Sequence, residues 1–453
     1  MGVNETAVVR LNRAIGAFGD ACMIARWRWI LSRITKRLWF RATLFSLLGV
    51  VTALLAVVFK DLIPASLPTR IGADAVDKIL GIIASSMLAV TTFSLSTMVS
   101  AYSAASSGVT PRATTLIMED SATQNALATF IGSFLFSLVG IIALSTGVYG
   151  SQGRALLFVV TLAVILLIVY TLLRWIDHLS KLGRVGETID RVEAAAMHSL
   201  GQRARWPYLG AVAYPAERVV PATARSLASL QTGYVQHIDV QALGAIALDK
   251  GLRIYLEVLP GSFVHEGLPL ARLAPLDHAA TWDDEKTVER IRGALTVGLR
   301  RTFEHDPRFG ISVLSEIASR ALSSATNDPG TAIDVIGRGV RTLACWGKPQ
   351  ALTEQREPGC DQVYVRGLHV DDLFDDFFAP LSRDGGGLLE IDLRLLKALI
   401  SLSQINPPLF KAACARQADL LLAHAERSLI LQREKDQLKA LAATTFDALA
   451  GSS

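Results

Sequence analysis

The sequence predicts a membrane α-helical protein. Four transmembrane helices are followed by a cytoplasmic α+β domain with a small barrel-sandwich-like β unit and a helical C-terminal part. Three observations predict this class. The 453 residues are 51% hydrophobic and only 19% charged, against about a quarter charged in soluble domains. The apolar residues concentrate near the start of the chain in four runs of the ~20 residues that a helix needs to cross a bilayer. The rest of the chain is rich in charges, helix caps and turn residues. A net charge of +4 gives no argument for a nucleic-acid partner.

Residues 1–38 form a basic N-terminal segment. Arg26-Trp27-Arg28-Trp29-Ile30-Leu31-Ser32-Arg33 alternates cations with indole rings, and Lys36, Arg37 and Arg41 follow. This pattern suits a helix lying at the lipid headgroups; an ordinary basic tail is the other reading. No cleavable signal is expected, because the first long apolar run starts only near Trp39 and no small-residue cleavage site follows it.

The transmembrane domain is placed at 39–177. Its spans run from about Trp39 to Ile63, Ile79 to Ala104, Ala126 to Tyr149 and Ala155 to Trp175. Backbone polar groups cannot stay unpaired in lipid, so each span should be helical throughout. Arg and Lys cluster before the first span, and Arg174, Lys181, Arg184 and Arg191 mark the end of the fourth, so both termini should face the cytoplasm. No ionisable side chain lies in the middle of a span. That argues against proton-coupled transport and leaves a passive pore open.

The second span carries eleven Ser and Thr between positions 85 and 107. At about 100° per residue, Ser85, Thr92, Ser96, Ser100, Ser103 and Ser107 share one stripe. Two readings are open: close helix packing through small polar residues, or the wet lining of a pore. Gly132, Ser133, Ser137 and Gly140 make the third span the packing partner of the second. Pro111 breaks the second helix, and Arg112 beyond it is either a positive-inside anchor or an interfacial contact for anions or lipid phosphates.

A charged helix is expected to continue the fourth span to about Ser199, and residues 178–226 connect the two halves. Residues 227–274 read as the small β unit. Gly233–Ile238 alternates as a strand, Asp239 caps a helix through about Leu248, Leu252–Val258 is a second strand, and Pro260-Gly261-Ser262 is a turn. This unit is similar to biotinyl and lipoyl modules, but no lysine occupies the hairpin tip, so no carrier role is expected.

Residues 275–453 read as mainly helical. Helices are expected from Asp283 to about Phe303, from Asp306-Pro307 to Leu322 and from Asn327-Asp328-Pro329 to Trp346. Others cover Leu388 to Ser403, Pro407 to Leu431 and the C-terminus. Asp371–Phe378 should pack its phenylalanines inward. Cys22, Cys345, Cys360 and Cys414 have no paired spacing and should be free thiols.

One combination is specific. Arg300-Arg301-Thr302-Phe303-Glu304-His305-Asp306-Pro307-Arg308-Phe309-Gly310 precedes Ile317–Ser323 and Asn327-Asp328-Pro329-Gly330, with Pro260-Gly261-Ser262-Phe263-Val264 upstream and the four spans before it. The chain resembles, over nearly its whole length, a family of predicted bacterial inner-membrane proteins known as domain of unknown function twenty-two fifty-four. The resemblance implies an inner-membrane location and this architecture. It carries over no activity and no catalytic residue.

Arg300, Arg301, Glu304, His305, Asp306, Asn327 and Asp328 form the candidate cytoplasmic polar cluster. Helix capping explains both acidic-Pro pairs without further assumption; a His base or a metal held by His and carboxylates is the other reading. No Walker loop, GxSxG, HExxH or dinucleotide fingerprint occurs. No metal, cofactor or catalytic residue is therefore expected, and the partners expected are the lipid bilayer, further copies of the chain and inorganic ions. Three functions remain in view. The first is a homo-oligomeric ion channel or passive pore with a cytoplasmic gating or assembly domain. The second is a membrane-anchored sensor or scaffold without transport. The third is a membrane enzyme using His305. The hydroxyl count favours the pore, because an anchor needs no such stripe.

Overall fold

The computed structural model describes residues 73–118, 120–146, 151–181, 183–214, 220–221, 224–276, 284–348 and 359–450, and scattered helical positions between 40 and 51. The expected interfacial helix and most of the expected first span lie outside the described residues. The chain divides into two compact units that meet between Thr188 and Ile189.

The first unit contains α1 (Ala73–Gly108), α2 (Thr114–Met118), α3 (Ser121–Ser145) and α4 (Ser151–Lys181). Three stretches are long and apolar enough to cross a membrane: Ala75–Ser106, Thr114–Ser145 and Arg154–Lys181. They take in the second, third and fourth expected spans, so three of the four are described. α1 buries Val76, Leu80, Ile83, Met87, Ser94, Met98, Ala101 and Ala105, spaced as one helical face. That face packs on α3, as expected. The approach is close: a Cβ on Gly140 would come within 3.0 Å of Leu80 Cδ1.

Two polar contacts tie these helices together. The indole of Trp175 on α4 donates to Ser94 Oγ on α1 at 2.9 Å. Asp120 caps α3 by accepting from Thr123 N and Oγ1, and its carboxylate lies 2.8 Å from His178 Nε2 on α4.

The expected continuous helix beyond the fourth span is instead two helices. α4 ends at Lys181 and α5 (Val185–Arg205) starts after Gly183, which takes a left-handed φ of +83°. Only glycine adopts that conformation cheaply.

The second unit is α+β. A five-stranded sheet has the order β1-β8-β4-β6-β2: β1 (Ala211–Ala213), β8 (Cys360–Val365), β4 (Leu252–Leu256), β6 (Pro269–Pro275) and β2 (Arg225–Ala228). A three-stranded sheet has the order β5-β3-β7: β5 (Phe263–Val264), β3 (Gly233–Ile238) and β7 (Leu295–Gly298). α6 (Val240–Lys250) connects β3 to β4, and Leu243, Ile246, Ile254, Leu256 and Val363 meet in the core.

The strands of 227–274 therefore do not close on themselves as a barrel-sandwich. They divide between two sheets, one completed from outside the unit by β1 and β8 and the other by β7. The expected helix from Asp283 to Phe303 is also shorter. α7 (Glu285–Gly293) stops at a glycine, and Leu295-Thr296-Val297-Gly298 pairs antiparallel with β3. Leu, Thr and Val fit a pleated, half-buried edge better than they extend a short polar helix.

The remaining helices are α8 (Pro307–Ala321), α9 (Pro329–Gly347), α10 (Val370–Gly385), α11 (Leu389–Ile405), α12 (Pro407–Ser428) and α13 (Gln432–Ala450). Their starts and stops lie within a few residues of expectation, except that α10 runs seven residues past Phe378, through Pro380 to Gly385. Phe374, Phe377 and Phe378 of α10 point inward with Phe410 of α12, and all four are fully buried. Cys360 and Cys414 are buried free thiols, pushed upward by burial, Cys414 to about 12.

Asp392 on α11 is fully buried, and neither carboxylate oxygen has a hydrogen-bond partner. Burial, with Glu390 nearby, pushes its carboxyl from the ordinary 3.8 to about 7. Between those values the folded chain holds a proton that the unfolded chain has released, so stability falls as pH rises through this window and levels off above about 7. Asp392→Asn should flatten that slope and raise the melting temperature at pH 8. Thermal unfolding of both proteins between pH 5 and 8 checks this.

Candidate functional site

The outward face of α1 is the first candidate. Ser85, Thr92, Ser96, Ser100 and Ser103 are all exposed. They lie roughly 180° around the helix from the packed face of Val76, Leu80, Met87 and Ser94. The side chain of Ser107 is outside the described set. Ser85 Oγ donates to Gly81 O at 3.0 Å and Thr92 Oγ1 to Leu88 O at 3.0 Å, which satisfies both protons within the helix. The hydroxyl that does serve packing is Ser94, on the other side. Flanking the stripe are the exposed apolar Ile82, Leu88, Phe93, Leu95 and Val99. Arg112 lies beyond the helix end, in the turn 111–113, and is exposed.

The second candidate lies in the α+β unit, where the two motifs Pro260–Val264 and Arg300–Gly310 meet. Asp306 caps α8, accepting from Phe309 N, and is 2% exposed. Arg301 grips it with both arms, Nε at 2.6 Å and Nη2 at 3.1 Å. The Arg301 guanidinium also lies over the Phe309 ring at 5.1 Å. Burial raises the Asp306 carboxyl, against the pull of Arg301. Gly261, at φ +95°, lies directly on that carboxylate, and its N–H donates to Val235 O at 2.8 Å. No larger residue has room there. Gln236 donates from Nε2 to the Arg300 carbonyl at 2.7 Å. The rings of His237 and His305 lie 4.6 Å apart, and burial lowers the His237 imidazole, with Glu304 opposing.

Asp306 also faces α5. Arg203, in the last turn of that helix, is 3% exposed; burial lowers it to about 10, countered by the Asp306 charge. One side of α5 is pressed against α8 so closely that Ala196 fills the space a Cβ on Gly310 would need. A second ionic contact holds α5 to α9. Glu193 accepts from Arg341 Nε at 2.7 Å and Arg338 Nη1 at 3.0 Å, and Arg338 also pairs with Asp190.

Of the expected polar cluster, the fold brings Arg300, Arg301, Glu304, His305 and Asp306 to this junction. Asn327 and Asp328 stand at the other end of α8, about 22 Å away by helical rise over its fifteen residues. Asp328 caps α9 there, accepting from Thr331 N at 3.0 Å. Arg203, Gln236, His237 and Gly261 belong to the junction and carry no local signal, apart from the Pro260-Gly261 turn. Among the described residues no group of three His, Cys, Asp or Glu is placed to hold a metal ion. A groove between α8, α10 and α12 is lined by Ser312, Glu316, Asp375, Asp376 and His424. Asp375 is paired with Arg416 and Gln417, and Asp376 with Arg308.

Comparison with known proteins gives a family and few relatives. The family model described as "Predicted membrane protein (DUF2254)" matches residues 35–401. Uncharacterized proteins of Mycobacterium bovis and Mycobacterium tuberculosis are 33% identical over 116 residues, 26% of this chain. The match spans only 22% of the length of these curated relatives. No solved structure matches.

Two substitutions test the junction. Asp306→Asn removes the carboxylate that the half-buried Arg301 grips and the buried Arg203 faces, and should destabilise the chain by about 3 kcal/mol. Gly310→Ala forces α8 off α5 and should cost about 1–3 kcal/mol. Thermal melts of the full chain in detergent read both, with Asp306→Asn the more damaging.

Proposed function

We propose that this chain, which belongs to the DUF2254 family of predicted membrane proteins, is a homo-oligomeric passive pore of the bacterial inner membrane, with its cytoplasmic domain as gate or assembly platform. The observation that carries this reading is the side of α1 on which the hydroxyls lie. Ser85, Thr92, Ser96, Ser100 and Ser103 face away from α3 and α4 and, among the described residues, are left exposed. A row of hydroxyls on an exposed face of a membrane helix suits the wall of a water-filled path, formed where copies of the chain surround it. Symmetric closed assemblies are the common way to build such a wall from one kind of subunit. Inorganic ions are the species in view.

The basic residues that flank the spans support a cytoplasmic side for both termini. The α+β domain is then the intracellular part. Helix α5, which follows α4 after the Gly183 break, ties that domain to the membrane helices through the chain itself.

The reading of the chain as an anchored sensor or scaffold keeps the same architecture without flux. One measurement separates the two. Purified protein in planar bilayers should conduct ions, and Ser96→Trp or Ser103→Trp should abolish the current. Val159→Trp, on the exposed apolar surface of α4, should leave it intact. Undiminished current in both α1 variants would remove the lining assignment, and silence of the wild type across salts and voltages would favour the anchor.

A further inference from the structure

The last turns of α1 rest on the corner between α4 and α5. A Cβ on Gly183 would stand 3.3 Å from Ala101 Cβ, 3.4 Å from its Cα and 3.5 Å from its carbonyl oxygen, so backbone lies against backbone there. Further along, a Cβ on Gly108 would stand 3.4 Å from Val185 Cγ2, in the first turn of α5. Ala101 and Ala105, one turn apart, are both buried. Ser100 and Ser103, beside Ala101 in sequence, are exposed. The corner itself is tight. Arg184 N donates to Lys181 O at 3.4 Å, and Thr188 N donates to Arg184 O at 3.1 Å, which starts α5. Gly183 holds its φ of +83° at little cost, and a side chain there would be strained.

These contacts lie wholly in the first unit. From the corner α5 runs unbroken for 21 residues, about 30 Å, into the second. There Arg338 and Arg341 hold Glu193, and Ala196 presses on Gly310. Close-packed contacts transmit a displacement rather than absorb it. We propose that the corner at Gly183 is a coupling joint. A change in how the α+β unit holds α5 passes along that helix to the corner, and from the corner to the end of α1 that bears Ser100 and Ser103. Calling this movement gating rests on the pore reading. The coupling itself does not, and its test reads no current.

The test is amide hydrogen exchange of the full chain in lipid nanodiscs. Glu193→Ala removes the carboxylate that holds α5 to α9. The amides of 101–108 should then exchange at least about threefold faster, while those of 85–92 on α1 and 125–132 on α3 keep their wild-type rates. Gly183→Ala pushes the corner off Ala101, so 101–108 should exchange fast with or without Glu193→Ala, the non-additivity of two changes on one path. Equal acceleration in all three stretches overturns the proposal, because it reports general loosening. No acceleration at 101–108 overturns it as well, as does an effect of Glu193→Ala that survives Gly183→Ala. Should Gly183→Ala fail to fold, Ala101→Val crowds the same contact from the side of α1 and takes its place. A chain that shows the expected pattern yet conducts nothing keeps the joint and loses the pore.

Discussion

The α+β unit depends on one buried carboxylate. Asp306 starts α8, holds Arg301, touches the turn at Gly261 and faces Arg203 on α5. Three segments far apart in sequence, at Arg203, at Gly261 and at Arg301–Phe309, meet at one buried group. Ion pairs of this kind add little net stability, but breaking one is expensive. The junction therefore specifies an arrangement more than it strengthens the fold. Around it the chain has given up side chains: Gly261 and Gly310 are small because Asp306 and Ala196 occupy the space. The clamp of Arg338 and Arg341 on Glu193 holds the same α5 along its earlier turns.

Much of this architecture is legible in the sequence, for local reasons. Asp239, Asp284, Asp306 and Asp328 each cap a helix whose start their pattern announces. Apolar runs of bilayer length announce the membrane helices. The sheets are less legible. β8 joins β4 from more than a hundred positions away, and β7 hides behind a short polar helix. Strand pairing of this range leaves no trace in the residues beside it. The barrel-sandwich expectation treats 227–274 as self-contained, and those strands are not.

The candidate sites divide in the same way. A stripe of hydroxyls is visible from spacing alone, but which neighbour it faces is a property of packing. Ser94 and Ser96 are two positions apart on α1, yet Ser94 receives the Trp175 indole from inside and Ser96 is exposed. Arg203 carries no signal of its own: in sequence it is one more cation at the end of a helix, where the dipole welcomes it. Its burial appears only once α8 is laid against α5.

The thiols give the α+β unit an internal clock. Cys360 is buried on β8 and Cys414 on α12, both with thiols driven away from the reactive thiolate. Alkylating reagents attack the thiolate of an accessible cysteine. Each site is therefore modified only in the moments when its own element opens, one in the sheet and one in the helical part. Their labelling rates under native conditions amount to two separate readings of how often each half of this unit comes apart.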